Sequence, residues 1–150
     1  MAGVIQVTQG GPKTFTPATT KTITGGQVVD LTDAGRIQPA AAGSVRFAGV
    51  ALTDGIAPED QVTTPVLDGQ GRPVLTAVPV PTHVAVAYSG TEVKVTAAAA
   101  VKPGQRVKCA ANGQVTPYVT GTDTDPTLIV GVCTDPNGIA ATKAGLIRVN

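Results

Sequence analysis

The sequence says nearly the same thing twice. "GGQVVDLTDAGRIQPA", Gly25 to Ala40, returns as "PGQRVKCAANGQVTPY", Pro103 to Tyr118, with Gly26 over Gly104, Gln27 over Gln105, Val29 over Val107, Gly35 over Gly113 and Pro39 over Pro117, a constant offset of 78. After a spacer, "FAGVALTDGIA" in the first copy matches "IVGVCTDPNGIA" in the second. Gly49-Val50 falls on Gly131-Val132, Thr53-Asp54 on Thr134-Asp135, and Gly55-Ile56-Ala57 on Gly138-Ile139-Ala140, with the offset drifting between 81 and 83. Loops absorb small insertions whereas strands and turns do not, so the matched blocks read as strands and turns. Two related halves of one domain are expected, about residues 25–62 and 99–150.

The interior available to such a fold is aliphatic. Hydrophobic residues make up 42% of the 150, but there is no Trp, two Tyr and two Phe, so Val, Ile, Leu and Ala must fill the core. The 18 Gly and 12 Pro form a fifth of the chain, which breaks helices and supplies turns, while abundant Thr and Val suit a pleated, half-buried surface. The expected fold class is all-β: a compact sandwich or barrel of short antiparallel strands.

Within that frame, "QVVDL", "GRIQPA" and "VRFAGVAL" read as short strands bounded by Gly or Asp. Asn112-Gly113 supplies the positive φ angles of a tight hairpin, and Ala34-Gly35 does a weaker version of the same job. "HVAVAYSGTEVKVTA" reads as a hairpin about Ser89-Gly90, between the halves. "TAAAAVKPG" stops at Pro103 and is expected to be no more than a turn. Residues 1–24 are Thr-rich, interrupted by Pro12 and Pro17, and have no counterpart before the second copy, so they read as an extended arm in which "VIQVT" could add a strand to a neighbour. Residues 63–82, "TTPVLDGQGRPVLTAVPVPT", carry four prolines and a Gly-rich tip, and read as an inserted, projecting hairpin.

Chemistry is sparse. His83 is the only histidine and stands in an alternating run without a nucleophile elbow, and an enzyme reading would fall back on Cys133 or Asp54. Cys109 and Cys133 align with Leu31 and Ala51, so they are expected to be reduced, buried thiols acting as small hydrophobes. One His and two Cys separated by 23 residues do not make a zinc site. In "TDTDP", Asp123 and Asp125 offer oxygen to a hard cation but lack the spaced acidic set of a dedicated site, so a turn before Pro126 is the expectation. "GGPKT" lacks the glycine spacing of a phosphate loop. No catalytic, cofactor-binding or metal-ligating residues are assigned, and no enzyme activity is expected.

Partners are bounded in the same way. Net charge is +1 and the 11 basic residues lie singly along the sequence, so nucleic acid is not expected. No apolar run approaches the roughly 20 residues of a bilayer span, and "MAGVIQVTQG" lacks a secretory signal's basic start and apolar core, so a soluble protein made in a cytoplasm is expected.

The blocks "GQxV…GxIxPA…FAGVALTD" and "VAVAYSGTEVKVTA…VKPGQRVKCAANGQVTPY…IVGVCTD…GLIRV" resemble the small capsid decoration, or cement, proteins of tailed bacteriophages, from about Gly25 to Val149. That resemblance implies an all-β fold, self-association as a homotrimer, the major capsid protein as partner, and a place on the outer surface of the virion head, where many weak contacts reinforce the shell. The family transfers no functional side chain, and residues 63–82 depart from its pattern. A β-rich adhesin or tail-associated binding module is the alternative.

Overall fold

The computed structural model describes residues 11–61, 67–74 and 80–150. Twelve strands follow in chain order: β1 (Lys13–Phe15), β2 (Thr22–Ile23), β3 (Val28–Leu31), β4 (Ile37–Pro39), β5 (Phe47–Ala51), β6 (Gly55–Ile56), β7 (Val84–Ala87), β8 (Glu92–Thr96), β9 (Arg106–Cys109), β10 (Val115–Pro117), β11 (Ile129–Cys133) and β12 (Ala144–Val149). They build two five-stranded antiparallel sheets, β1-β7-β5-β3-β4 and β8-β12-β11-β9-β10, with β2 and β6 as a small separate ribbon. Read this way round, each sheet places its strands in the same sequence. The duplication is thus carried by topology.

The duplicated residues explain why. In the first copy Gly26 N donates to Ala51 O at 2.7 Å, Ala51 N to Gln27 O at 2.8 Å and Thr24 N to Gln27 Oε1 at 2.8 Å. In the second, Gly104 N donates to Cys133 O at 2.9 Å, Cys133 N to Gln105 O at 2.9 Å and Lys102 N to Gln105 Oε1 at 3.0 Å. The glycines of both turns hold φ of +87° and +72°, a region that side chains disfavour. A bulge repeats as well: Ala48 is left unpaired between Phe47 and Gly49 against β3, and Val130 between Ile129 and Gly131 against β9. The Asn112-Gly113 turn has φ of +57° and +69° and joins antiparallel β9 and β10, as its residues demand.

The sheets stack front on back. In the second sheet Val95, Val107, Val115, Cys133 and Ile147 form one core cluster with Val28, Val50 and Ala87 of the first. The first sheet's residues equivalent to that front, among them Val29, Ile37, Ala51 and Val86, lie on its opposite side, in a second cluster closed partly by Ile23 of the β2–β6 ribbon. Both clusters are almost wholly aliphatic, which is what a chain with four aromatics can supply.

Two sequence expectations are corrected. The body begins by Lys13 rather than Gly25, because β1 pairs with β7 and Ile23 is fully buried. The segment also has a counterpart after all: Pro17 bridges Ile37 in parallel as Ala97 bridges Val115, which makes β1 the equivalent of β8. Second, "HVAVAYSGTEVKVTA" is not a hairpin. A turn does close at Ser89-Gly90, Thr91 N donating to Tyr88 O at 3.2 Å, but β7 enters the first sheet and β8 the second. The insertion is described only at residues 67–74, where Leu67 bridges Pro73 in antiparallel sense and Asp68 N donates to Arg72 O at 2.8 Å; the rest of that segment, and residues 1–10 with "VIQVT", lie outside the described residues. "TAAAAVKPG" forms bridges at Ala97 and Val101 and no helix.

Candidate interaction surface

The sequence's reactive side chains have each been given other work. His83 is exposed and its Nδ1 lies 3.1 Å from Thr82 Oγ1. Asp54 Oδ1 accepts from Gly25 N at 2.7 Å, tying the loop after β5 to the turn before β3. Cys109 and Cys133 are free and each about 1% exposed; burial, with the Asp30 carboxylate nearby, pushes the Cys109 thiol up to about 12. Among the described residues no hydrogen bond joins any two of His83, Asp54 and Cys133. The Cys109 thiol, so raised, stays protonated at neutral pH and is a poor nucleophile.

The two carboxylates of "TDTDP" diverge. Asp123 pairs with the Lys108 ammonium and accepts from Val119 N at 2.8 Å, while Tyr118 donates its hydroxyl to Asp123 O at 2.9 Å. Asp125 Oδ1 caps the short helical turn at Pro126–Leu128, accepting from Thr127 N at 2.9 Å and Thr127 Oγ1 at 2.6 Å. Hydrogen bonds to Lys108 and Thr127 respectively hold both acids below the usual carboxylate range. Among the described residues, no group of three or more His, Cys, Asp or Glu is placed to hold a metal.

Apolar surface is where the structure is unusual. Phe15, Leu31, Val45, Phe47, Ala48 and Tyr88 line an open groove on the first sheet, beside Lys13 and Arg46. Three of the chain's four aromatic residues therefore meet at one place. Phe15 and Tyr88 stand edge to face with ring centroids 6.5 Å apart, the Lys13 ammonium lies 5.3 Å from the Phe15 centroid, and burial pushes the Tyr88 phenol up. Arg46 is held by Asp33. Sequence reasoning missed this groove because its residues come from β1, β3, β5 and the end of β7, which only the sheet order brings together.

The far side of the second sheet is the opposite in character. Arg106 and Arg148 both pair across Val132, Glu92 pairs with Arg148, and Lys94 lies one step further along β8. Three of the sequence's eleven basic residues, Lys94, Arg106 and Arg148, thus share one face by topology, with Glu92 among them.

This all-β fold of two stacked, topologically equivalent sheets is similar to the folds of two solved phage proteins. The head fiber gp8.5 N base of bacteriophage phi29 matches with a TM-score of 0.59 and 15% identity, over 93% of this chain and 94% of that one. The C-terminal fragment of phi29 gene product 12 matches with a TM-score of 0.55 and 15% identity, over 94% of this chain and 100% of that one. Pre-mature phi29 gene product 12 matches at 0.54 and 15%, over 96% of this chain but 22% of that much longer one. At this identity the likeness is one of fold. No protein-family model matches the sequence, and no curated protein matches it. Among the described residues, no helix is long and apolar enough to cross a membrane.

Proposed function

We propose that this chain is a structural, non-enzymatic protein of a tailed-phage virion, a decoration protein that binds the major capsid protein on the outer surface of the head and stabilises the shell. The observation that carries the reading is the fold shared along nearly the whole chain with the base of a phage head fiber. It agrees with a body whose carboxylates and thiols serve turns, ion pairs and core, and whose remaining exposed features are an apolar groove and a basic face. Self-association as a homotrimer belongs to the proposal: sheet edges at β1, β4, β8 and β10 that are bridged only locally, at Pro17–Ile37 and Ala97–Val115 among the described residues, and a thin aliphatic core are the surfaces that closed symmetry covers. Many identical weak contacts across a head convert modest single-site affinity into strong reinforcement. Synthesis in the host cytoplasm goes with that role.

Co-sedimentation with phage heads lacking the protein tests it. Bound protein should saturate at a fixed stoichiometry and raise the temperature at which filled heads release DNA. Binding to tail structures or to host cells, with bare heads left uncoated, would favour the adhesin or tail-module reading instead.

A further inference from the structure

The internal duplication shows what the back of the second sheet has exchanged. In the first sheet the back is a packing face: Val28, Val50 and Ala87 are 0%, 1% and 2% exposed, in one cluster with the front of the second sheet. Val28 pairs with Val50 and Val50 with Ala87; in the second sheet the same registers join Arg106 to Val132 and Val132 to Arg148. The equivalent face therefore keeps its central valine, half-buried, and carries an exposed arginine on either side of it. Strands β9 and β12 flank β11, so the two arginines stand two strand spacings, about 10 Å, apart in the middle of the sheet.

Both guanidiniums are without a partner. Of the chain's five arginines, Arg36, Arg46 and Arg72 each pair with an acid, whereas Arg106 and Arg148 form no ion pair among the described residues. All 10 acidic residues of the chain lie within the described residues, so none is left over to neutralise them. Lys108, on the same face, is held by Asp123. The unpaired charges on these strands are thus three cations, Lys94, Arg106 and Arg148, and one anion, Glu92, which lies across from Arg148.

That combination discriminates between occupants. An apolar sheet front, such as the one that covers Val28, would bury both guanidiniums with nothing to bond them, which disfavours front-on-back addition of a second copy. A phosphate backbone fits poorly as well, because Glu92 would face it and half-buried Val132 and Leu146 lie beside the cations. Protein carboxylates fit. A guanidinium binds one through two parallel hydrogen bonds, and an apolar side chain set between two such acids would cover Val132.

We propose that the back of the second sheet, centred on Arg106, Val132 and Arg148, docks onto an acidic protein surface that sets carboxylates on either side of an apolar contact. The inference rests on the proposed function, in which that surface belongs to the major capsid protein, and names the face that meets it.

The test uses the full chain, phage heads lacking it, and double variants at exposed positions. Arg106→Gln with Arg148→Gln should weaken head binding at least about 30-fold in co-sedimentation, the loss expected of interface arginines, and flatten its dependence on salt. Arg106→Lys with Arg148→Lys should recover only part of the affinity, since the charge returns without the paired hydrogen bonds. Lys13→Gln with Lys21→Gln removes the same charge from exposed positions of the first half and should leave binding nearly unchanged. All three should keep the wild-type circular dichroism spectrum and sedimentation coefficient. Unchanged head binding by the glutamine pair at 106 and 148, or an equal loss in the Lys13 and Lys21 control, would overturn the docking face. A glutamine pair that alters the oligomeric state would make the face a contact between copies. Duplex DNA retained by wild type and lost by that pair, with heads bound alike, would make it a nucleic-acid surface, and either result overturns the proposal. Wild type that ignores heads removes the decoration role and this partner together; wild-type binding that survives the glutamine pair removes this inference alone.

Discussion

At the scale of single residues, glycines and ion pairs carry most of the argument. Gly49 follows the β5 bulge, and a methyl group there would stand 2.2 Å from Ala87 O and 2.6 Å from Val86 Cγ1, within a paired sheet that cannot move aside. Gly35 also has a positive φ, +73°, but a methyl group there meets nothing within 4 Å. Gly49→Ala should therefore cost more than about 2 kcal/mol through overpacking, and Gly35→Ala only about 1 kcal/mol through backbone strain, as read from urea unfolding. Glu59 makes a pH prediction. Arg36 Nη1 and Nη2 donate to its two oxygens at 2.9 and 2.5 Å, and these bonds, with a backbone bond, hold its carboxyl down to about 2. A lowered folded-state value means the contribution is fully present above the unfolded carboxylate range and fades as pH falls toward about 2. Urea midpoints should drop over that interval, and Glu59→Gln should remove this part of the slope while lowering stability at neutral pH.

At the scale of elements, the paired strands β3 and β9 show how one pattern is put to two uses. Val29 and Val107 are both fully buried, yet Asp30 lies 3% exposed where the second copy has Lys108 on its outer face, and Leu31 stands at the surface where the second copy has buried Cys109. Asp30 Oδ2 accepts from Ala41 N at 3.2 Å, while its Oδ1 has no partner. The repeat thus fixes backbone register, and side-chain environment follows from which face another sheet covers. Exchanging residues between the strands should expose the difference. Cys109→Leu forces extra volume into a closed core and should cost about 1–3 kcal/mol, whereas Leu31→Cys at the groove should cost less than about 1 kcal/mol. Denaturant titration of both variants checks it, and equal costs would mean the two faces are equally covered.

At the scale of the whole molecule, local rules were legible and relations between distant elements were not. The glycine-bounded strands, the Asn112-Gly113 hairpin and the buried cysteines follow from φ preference, alternation and alignment of the copies. The role of residues 13–23 was hidden because β1 and β8 share almost no sequence: Lys13, Thr14 and Phe15 stand where Val93, Lys94 and Val95 do, so only pairing reveals the kinship. The Ser89-Gly90 turn misled for a related reason. A two-residue turn between alternating runs has the same local chemistry whether its strands pair or part, and the stronger claims of β1, β5 and β12 as partners separated them. The groove and the basic face could not be read at all, since each collects residues from strands far apart in the chain.

Front-on-back stacking has one further consequence. Halves joined front to front would have left two equivalent outer faces, and such a body could lie on a flat lattice either way up. Here one end of the stack is an aromatic hollow and the other a charged face that carries Lys94, Arg106 and Arg148 with Glu92. The molecule carries an arrow along its stacking axis, so any lattice that grips one end compels every copy to present the same end outward.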